Sequence, residues 1–194
     1  MSPQAAINRL FLDARTHAHW LDRPVSDEVL RQAYELARMP PTSANSQPLR
    51  VVFVRSAEAK ERLKPAIWPS NVDKVMQAPV TAIVSYDTAF YEQMAKLVPG
   101  ADLRSRMLER SPEQLQRLAL QSGTLQAGYL ILAVRSLGLD CGPVGGFDAD
   151  KVDAEFLSGT TWKSNLLLNL GYGDHKRLTD RRPRLEFEEA CRVE

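Results

Sequence analysis

Ser111-Pro112-Glu113-Gln114-Leu115-Gln116-Arg117-Leu118-Ala119-Leu120 begins the stretch that decides the fold, and the pattern runs on to Leu137. A serine cap, proline at the first helical position and glutamine at the capping-box position predict a helix start. Beyond it, Leu125, Tyr129, Leu130, Ile131, Leu132 and Val134 leave little of the helix surface polar. A long helix apolar on most faces is buried on most faces, at the centre of the molecule or against a second subunit. Ser122, Gly123, Ala127 and Gly128 are small enough to admit another element closely. Gly138 is the expected helix end.

Working outward, 139–144 reads as a short strand that leads into Gly145-Gly146-Phe147-Asp148, and Asp148 caps a helix to about Leu157. Residues 162–171 read as a last buried strand, and the tail beyond Gly173 is strongly charged. Upstream, 80–86 and 50–55 are strands, with short helices near 57–63 and 71–77. Ser26, followed by Asp27 and Glu28, caps a helix that must stop before Pro40-Pro41, and 4–14 has the spacing of an amphipathic helix. Four strands among helices predict an α+β sandwich, a mixed central sheet flanked by helices. At 194 residues the chain is expected to be one domain over 1–194.

Charge excludes one function class. Lys plus Arg is 25 and Asp plus Glu is 24, a net charge of +1, so the balance does not favour a nucleic-acid partner. The longest apolar run, 129–134, is far short of the roughly 20 residues that cross a bilayer. The first residues have no basic and apolar leader pattern, so a cytoplasmic location and no membrane partner are expected. Cys141 and Cys191 make no disulfide framework.

Single motifs leave several chemistries open. Gly171-Tyr172-Gly173 lacks the third glycine of a dinucleotide fingerprint. His17 and His19 have no metal-binding partner at a recognised interval, so no metal is expected, although a metal-dependent hydrolase built on them stays a rival. Cys141 has no base supplied by any signature and reads as a core residue. Thr42 to Gln47 concentrates hydrogen-bonding groups between a helix end and a core strand, as ligand loops and ordinary polar loops both do. Gly142 to Gly146 can bring bare backbone N–H groups close to a flat ligand or simply make a tight turn. Arg15 and the Arg181, Arg182, Arg184 group are suited to a phosphate if they converge.

Four segments in order resemble the FMN-dependent nitroreductase family. They are Arg15-Thr16-His17, Pro41-Thr42-Ser43-Ala44-Asn45-Ser46-Gln47-Pro48, Asn71-Val72-Asp73-Lys74, and Pro143-Val144-Gly145-Gly146-Phe147-Asp148. The resemblance implies a nitroreductase-like fold, an intertwined homodimer joined through helix 112–137, FMN as cofactor, and NADH or NADPH as electron donor. It places Arg15, Thr16, His17, Arg182 and Arg184 at the flavin ribityl-phosphate and Ser43 and Asn45 along the flavin. Asn71 and Lys74 would meet the pyrimidine edge, and Gly145 and Gly146 would offer N–H groups to the ring. No catalytic acid or base is assigned, since the flavin carries the chemistry. His17 stands where the family has serine, Leu49 where an aromatic is common, and Gly145 where an acid is common. With Leu139-Asp140-Cys141-Gly142-Pro143 and Glu189-Ala190-Cys191-Arg192, these departures resemble the malonic semialdehyde reductase (RutE) subgroup of pyrimidine degradation. The expected reaction is reduction of malonic semialdehyde to 3-hydroxypropanoate. Alternatives are a general nitroreductase or quinone reductase, and a non-catalytic flavin-binding or redox-sensing protein. Residues 88–115, where the subgroup match weakens, are the expected lid over the substrate.

Overall fold

A computed structural model describes residues 2–194. In chain order its elements are α1 (Pro3–Ile7), α2 (Asp27–Ala37), β1 (Leu49–Val54), α3 (Ala57–Leu63), α4 (Val72–Met76), β2 (Val80–Asp87), α5 (Met94–Leu97), α6 (Leu103–Leu108), α7 (Pro112–Ser136), β3 (Asp140–Val144), α8 (Ala149–Phe156), β4 (Trp162–Gly171) and α9 (Phe187–Ala190). The caps set the boundaries. Ser26 Oγ accepts from the Val29 N–H, Asp148 accepts from Lys151, and Ser111 and Gln114 close a reciprocal capping box. Gly138, with φ of +91°, follows the last turn of α7. The opening helix is shorter than expected. After Ile7 it widens into a π turn over Asn8–Leu12, where Arg9 Nε donates to the Arg135 carbonyl at 2.7 Å and Arg135 donates to Leu10 at 3.0 Å. Those tertiary bonds take hold of the turn that the local pattern would have continued.

The sheet order is β1-β2-β4-β3, and all three pairings are antiparallel. Among the described residues the mixed sheet expected from the sequence therefore reduces to one parallel bridge, Thr16 to Cys141, on the outer edge of β3. Connectivity explains the difference. The segments joining β1 to β2 and β3 to β4 re-enter the sheet at the end they left, so those neighbours run antiparallel. The return crossover from β2 to β3 is made by α7, and β4 then inserts between that parallel pair.

Two cores lie on opposite faces of the sheet. On one, Ala127, Leu130 and Val134 of α7 meet Leu30 and Ala33 of α2 over Ala82 and Val84. On the other, Ile83 and Leu167 are covered by Leu63, Val75 and Val152. A third cluster, with Phe90, Met94 and Met107, folds 88–110 against the start of α7 at Leu115 and Ala119. Small residues on α7 act as expected, since a Cβ on Gly123 would lie 2.9 Å from Tyr86 Cβ. The helix is not buried all round within one chain. Leu120, Leu125 and Tyr129 remain 39%, 47% and 37% exposed.

Lys60 is buried on α3 without a carboxylate, its ammonium donating to the Val75 carbonyl at 2.7 Å and to Thr81 Oγ1. Burial pushes its pKa down from 10.5 to about 8. The unfolded chain then binds more protons between these values, so Lys60's contribution to stability rises with pH across that window. From about pH 7.5 to about pH 9.5 the gain from this residue is about 2 kcal/mol at most. Urea unfolding at the two pH values should show it in the native protein, and Lys60→Met should flatten it.

Candidate functional site

Segments near the two ends of the chain, 11–16 and 179–184, meet in one polar cleft of about 420 Å³, whose walls include Arg15, Thr16, Arg135, Asp180, Arg181, Arg182 and Arg184. Arg15 Nη2 donates to the Thr179 carbonyl, and Arg181 Nη2 donates back to the carbonyls of Leu12 at 2.6 Å and Ala14 at 3.0 Å. These crossed bonds fasten the two segments to each other. Among the described residues, none of the five arginines pairs with a carboxylate. Among the same residues Arg135 Nε is buried without a hydrogen-bond partner. Several unpaired guanidinium groups around one cleft favour an anion with many oxygens.

From this cleft the outer edge of β3 leads away. Thr16 bridges Cys141 and the His17 N–H donates to the Cys141 carbonyl at 3.1 Å, covering the start of the strand. Pro143 and Gly145 beyond are exposed. A Cβ added at Gly145 would meet nothing within 4 Å. At the far end the Gly146 carbonyl accepts from the Trp68 N–H at 3.1 Å and from Asn71 Nδ2 at 3.2 Å. Asn71 Oδ1 in turn accepts from Lys74 Nζ at 3.1 Å, so the amide holds the ammonium beside the glycine turn. The structure thus brings Arg15, Thr16, Arg182 and Arg184 together at one end and Asn71, Lys74, Gly145 and Gly146 at the other.

Ser43 and Asn45 lie elsewhere. Their loop enters β1, at the opposite side of the sheet from β3, three strand spacings or roughly 14 Å away. The Ser43 N–H donates to Ser122 Oγ at 3.4 Å, and Asn45 Nδ2 donates to the Leu97 carbonyl at 2.9 Å. Ala44, Asn45 and Gln47 all have positive φ, +51°, +54° and +41°. The loop is held in this strained form by Thr42 Oγ1, which accepts from the Gln47 N–H at 3.1 Å.

His17 is a correction to the expected phosphate set. Its side chain is buried, absent from the lining of the arginine cleft, packed on Gly173 and edge-on to His175 at 4.8 Å. Burial pushes its pKa below the usual histidine value, against the raising influence of Asp140. Cys141 is fully buried and burial pushes its thiol up, so it is a core residue.

The sequence profile of the nitroreductase family matches residues 13–172. The chain belongs to the nitroreductase family. A Stutzerimonas stutzeri protein, provisionally named an NADH dehydrogenase/NAD(P)H nitroreductase, is 54% identical over 96% of this chain and 94% of its own length. A Ralstonia nicotianae protein with the same provisional name is 52% identical over 97% and 96%. Among solved structures, a nitroreductase family protein from Streptococcus pneumoniae superimposes with a TM-score of 0.83 at 25% identity, covering 95% of this chain and 98% of that one. An Exiguobacterium sibiricum protein, provisionally described as a nitroreductase and solved with FMN, has a TM-score of 0.85 at 22% identity, covering 100% and 98%. The latter likeness concerns the fold.

Arg135 was missed by sequence reasoning in this nitroreductase chain, because a basic residue in the last turn of a helix is explained by the helix dipole alone. Asp140 and His175 were missed as well, since each acquires its neighbours only when β3, the N-terminal segment and the tail meet.

Proposed function

We propose that this chain is an FMN-dependent NAD(P)H oxidoreductase, and that its acceptor is malonic semialdehyde. The observation that carries the flavin reading is the unpaired arginine cleft joined by an open strand edge to the Asn71–Lys74 pair. From Cys141 to Gly146 an extended backbone spans roughly 17 Å, comparable to a flavin mononucleotide from phosphate to ring edge. Arg15, Thr16, Arg182 and Arg184 would hold the phosphate. Gly145, with open space where a side chain would stand, leaves room for a flat ring, and Lys74 would offset negative charge at the pyrimidine edge. When bound, FMN supplies hydride transfer between nicotinamide and acceptor.

The dimer belongs to the same proposal. Ser43 and Asn45 sit at the wrong edge to serve the arginine cleft of their own chain, and a two-fold axis lets the partner's Ser43 and Asn45 serve it. Exposed Leu125 and Tyr129, one turn apart on α7, belong to the surface such an axis would cover, and the exposed tail, with Leu185 at 70% and Phe187 at 59%, can wrap the partner.

The acceptor rests on the subgroup resemblance of the Leu139–Pro143 and Glu189–Arg192 segments. A general nitroreductase or quinone reductase is the second reading, favoured by the names of the 54% and 52% identical relatives. Anaerobic addition of NADH or NADPH to the FMN-loaded protein should bleach the flavin band near ~450 nm, and an acceptor should restore it. Malonic semialdehyde is expected to show a kcat/KM at least about 10-fold above nitroarenes and quinones. The reverse order rejects the aldehyde and leaves the general reductase. Absence of bleaching with both nucleotides rejects both, in favour of a non-catalytic flavin-binding protein.

A further inference from the structure

His17, Asp140 and His175 reach one point from the N-terminal segment, the start of β3 and the stretch after β4. We propose that they form a site for a first-row divalent cation, Zn²⁺ foremost, which fastens the tail to the sheet. His17 Nε2 lies 3.5 Å from Asp140 Oδ1, and His175 Nε2 lies 3.6 Å from Asp140 Oδ2. Both separations are too long for a hydrogen bond. Each is close to the spacing of neighbouring ligands on one ion, because bonds of about 2.0–2.2 Å at tetrahedral angles put ligand atoms roughly 3.4 Å apart. Since the two histidines face different oxygens, Asp140 would turn to present one oxygen to both or bind through the pair. One ligand atom from each of the three residues lies within 4.8 Å of the other two. An adjustment of about 1 Å by the exposed His175 closes the set.

A second observation points the same way. His17 is 2% exposed, and among the described residues its Nε2 has no hydrogen-bond partner although it faces Asp140. Buried polar atoms in native proteins are rarely left so. The ring has little freedom to turn elsewhere, because Gly173 lies against it so closely that a Cβ there would come within 2.0–2.3 Å of its atoms. Asp140 is oriented in turn by the Gly173 N–H, which donates to Oδ2 at 2.9 Å, the kind of outer support that metal carboxylates receive. Two imidazoles and a carboxylate are a zinc-compatible set that leaves a fourth position open. That position has room, since Asp140 and His175 border an open cavity of about 540 Å³. Asp13 on the cavity wall and Asp174 beside His17 offset the charge of Arg9 and Arg135.

The site differs from the histidine pair suggested by the sequence. His19 is not a member, and its place is taken by two residues distant in the chain. The consequence is positional: His175 begins the stretch that carries Arg181, Arg182 and Arg184 to the cleft. The cation would pin that stretch.

The test uses the full chain, stripped with EDTA and free of flavin, so its outcome is separate from that of the flavin reading. Calorimetric titration with ZnCl₂ should give one ion per chain, and Co²⁺ should give the visible bands of a four-coordinate site. His175→Ala, at an exposed position, should lose at least about 10-fold in affinity. Asp140→Asn should do the same, and His19→Ala should bind as the native chain does. Zn²⁺ should raise the Tm of the native chain and leave that of His175→Ala unmoved. Equal binding by His175→Ala, or no binding at about 100 μM Zn²⁺, overturns the site.

Discussion

Gly142→Ala is expected to be strongly destabilising for a single added methyl, costing more than about 3 kcal/mol. A Cβ at this position would stand 2.2 Å from the His17 carbonyl oxygen and 3.6 Å from the Trp20 ring. The first contact is with backbone, which cannot rotate aside. Nor can the strand withdraw, because Gly142 is paired with Asn169 of β4 on its other side. The His17 N–H bond to Cys141 at 3.1 Å holds the covering segment in register. Relief therefore requires the whole Arg15–Trp20 segment to peel from β3, taking Arg15 and Thr16 from the cleft. Gly145→Ala, three residues along the same edge, is the control. Nothing lies within 4 Å of its added methyl, so stability should change by less than about 0.5 kcal/mol while flavin affinity falls. Urea midpoints compare the two, and equal midpoints would sink the argument.

This contrast marks the border of what a linear sequence discloses. Cap chemistry is local, so Ser26, Ser111 with Gln114, and Asp148 announced α2, α7 and α8 nearly to the residue. The buried run of β2 was legible for a similar reason, since a central strand is apolar on both faces. Sheet direction was not, because it depends on β4 inserting between β2 and β3 after both are made. Apolar residues all round α7 said that it would be covered, and not by what. Leu130 meets the sheet core while Leu125 and Tyr129 stay outside it. At the site, Arg15 and the tail arginines could be read as one group once a family pattern joined the chain ends. His17 could not, because its burial against Gly173 depends on the fold of the tail.

Arg15→Ala should weaken FMN binding by about 10- to 150-fold, the loss of a charge-assisted hydrogen bond worth about 1.5–3 kcal/mol. Riboflavin, which lacks the phosphate, should bind the variant and the native chain alike. The ratio of the two affinities, read from flavin fluorescence, is the decisive quantity. A merely structural role for Arg15, through its bond to the Thr179 carbonyl, would lower both affinities together. The tail arginines should then rank by how free they are. Arg184 Nη1 is already engaged with the carbonyls of Arg182 at 2.8 Å and Pro183 at 3.1 Å. Arg181 is spent on Leu12 and Ala14. Among the described residues the Arg182 guanidinium has no protein hydrogen bond, so it can turn both arms of its fork on the phosphate. Arg182→Ala should accordingly cost more FMN affinity than Arg184→Ala, with riboflavin again indifferent. A larger loss in Arg184→Ala would mean that the tail rearranges when the anion binds.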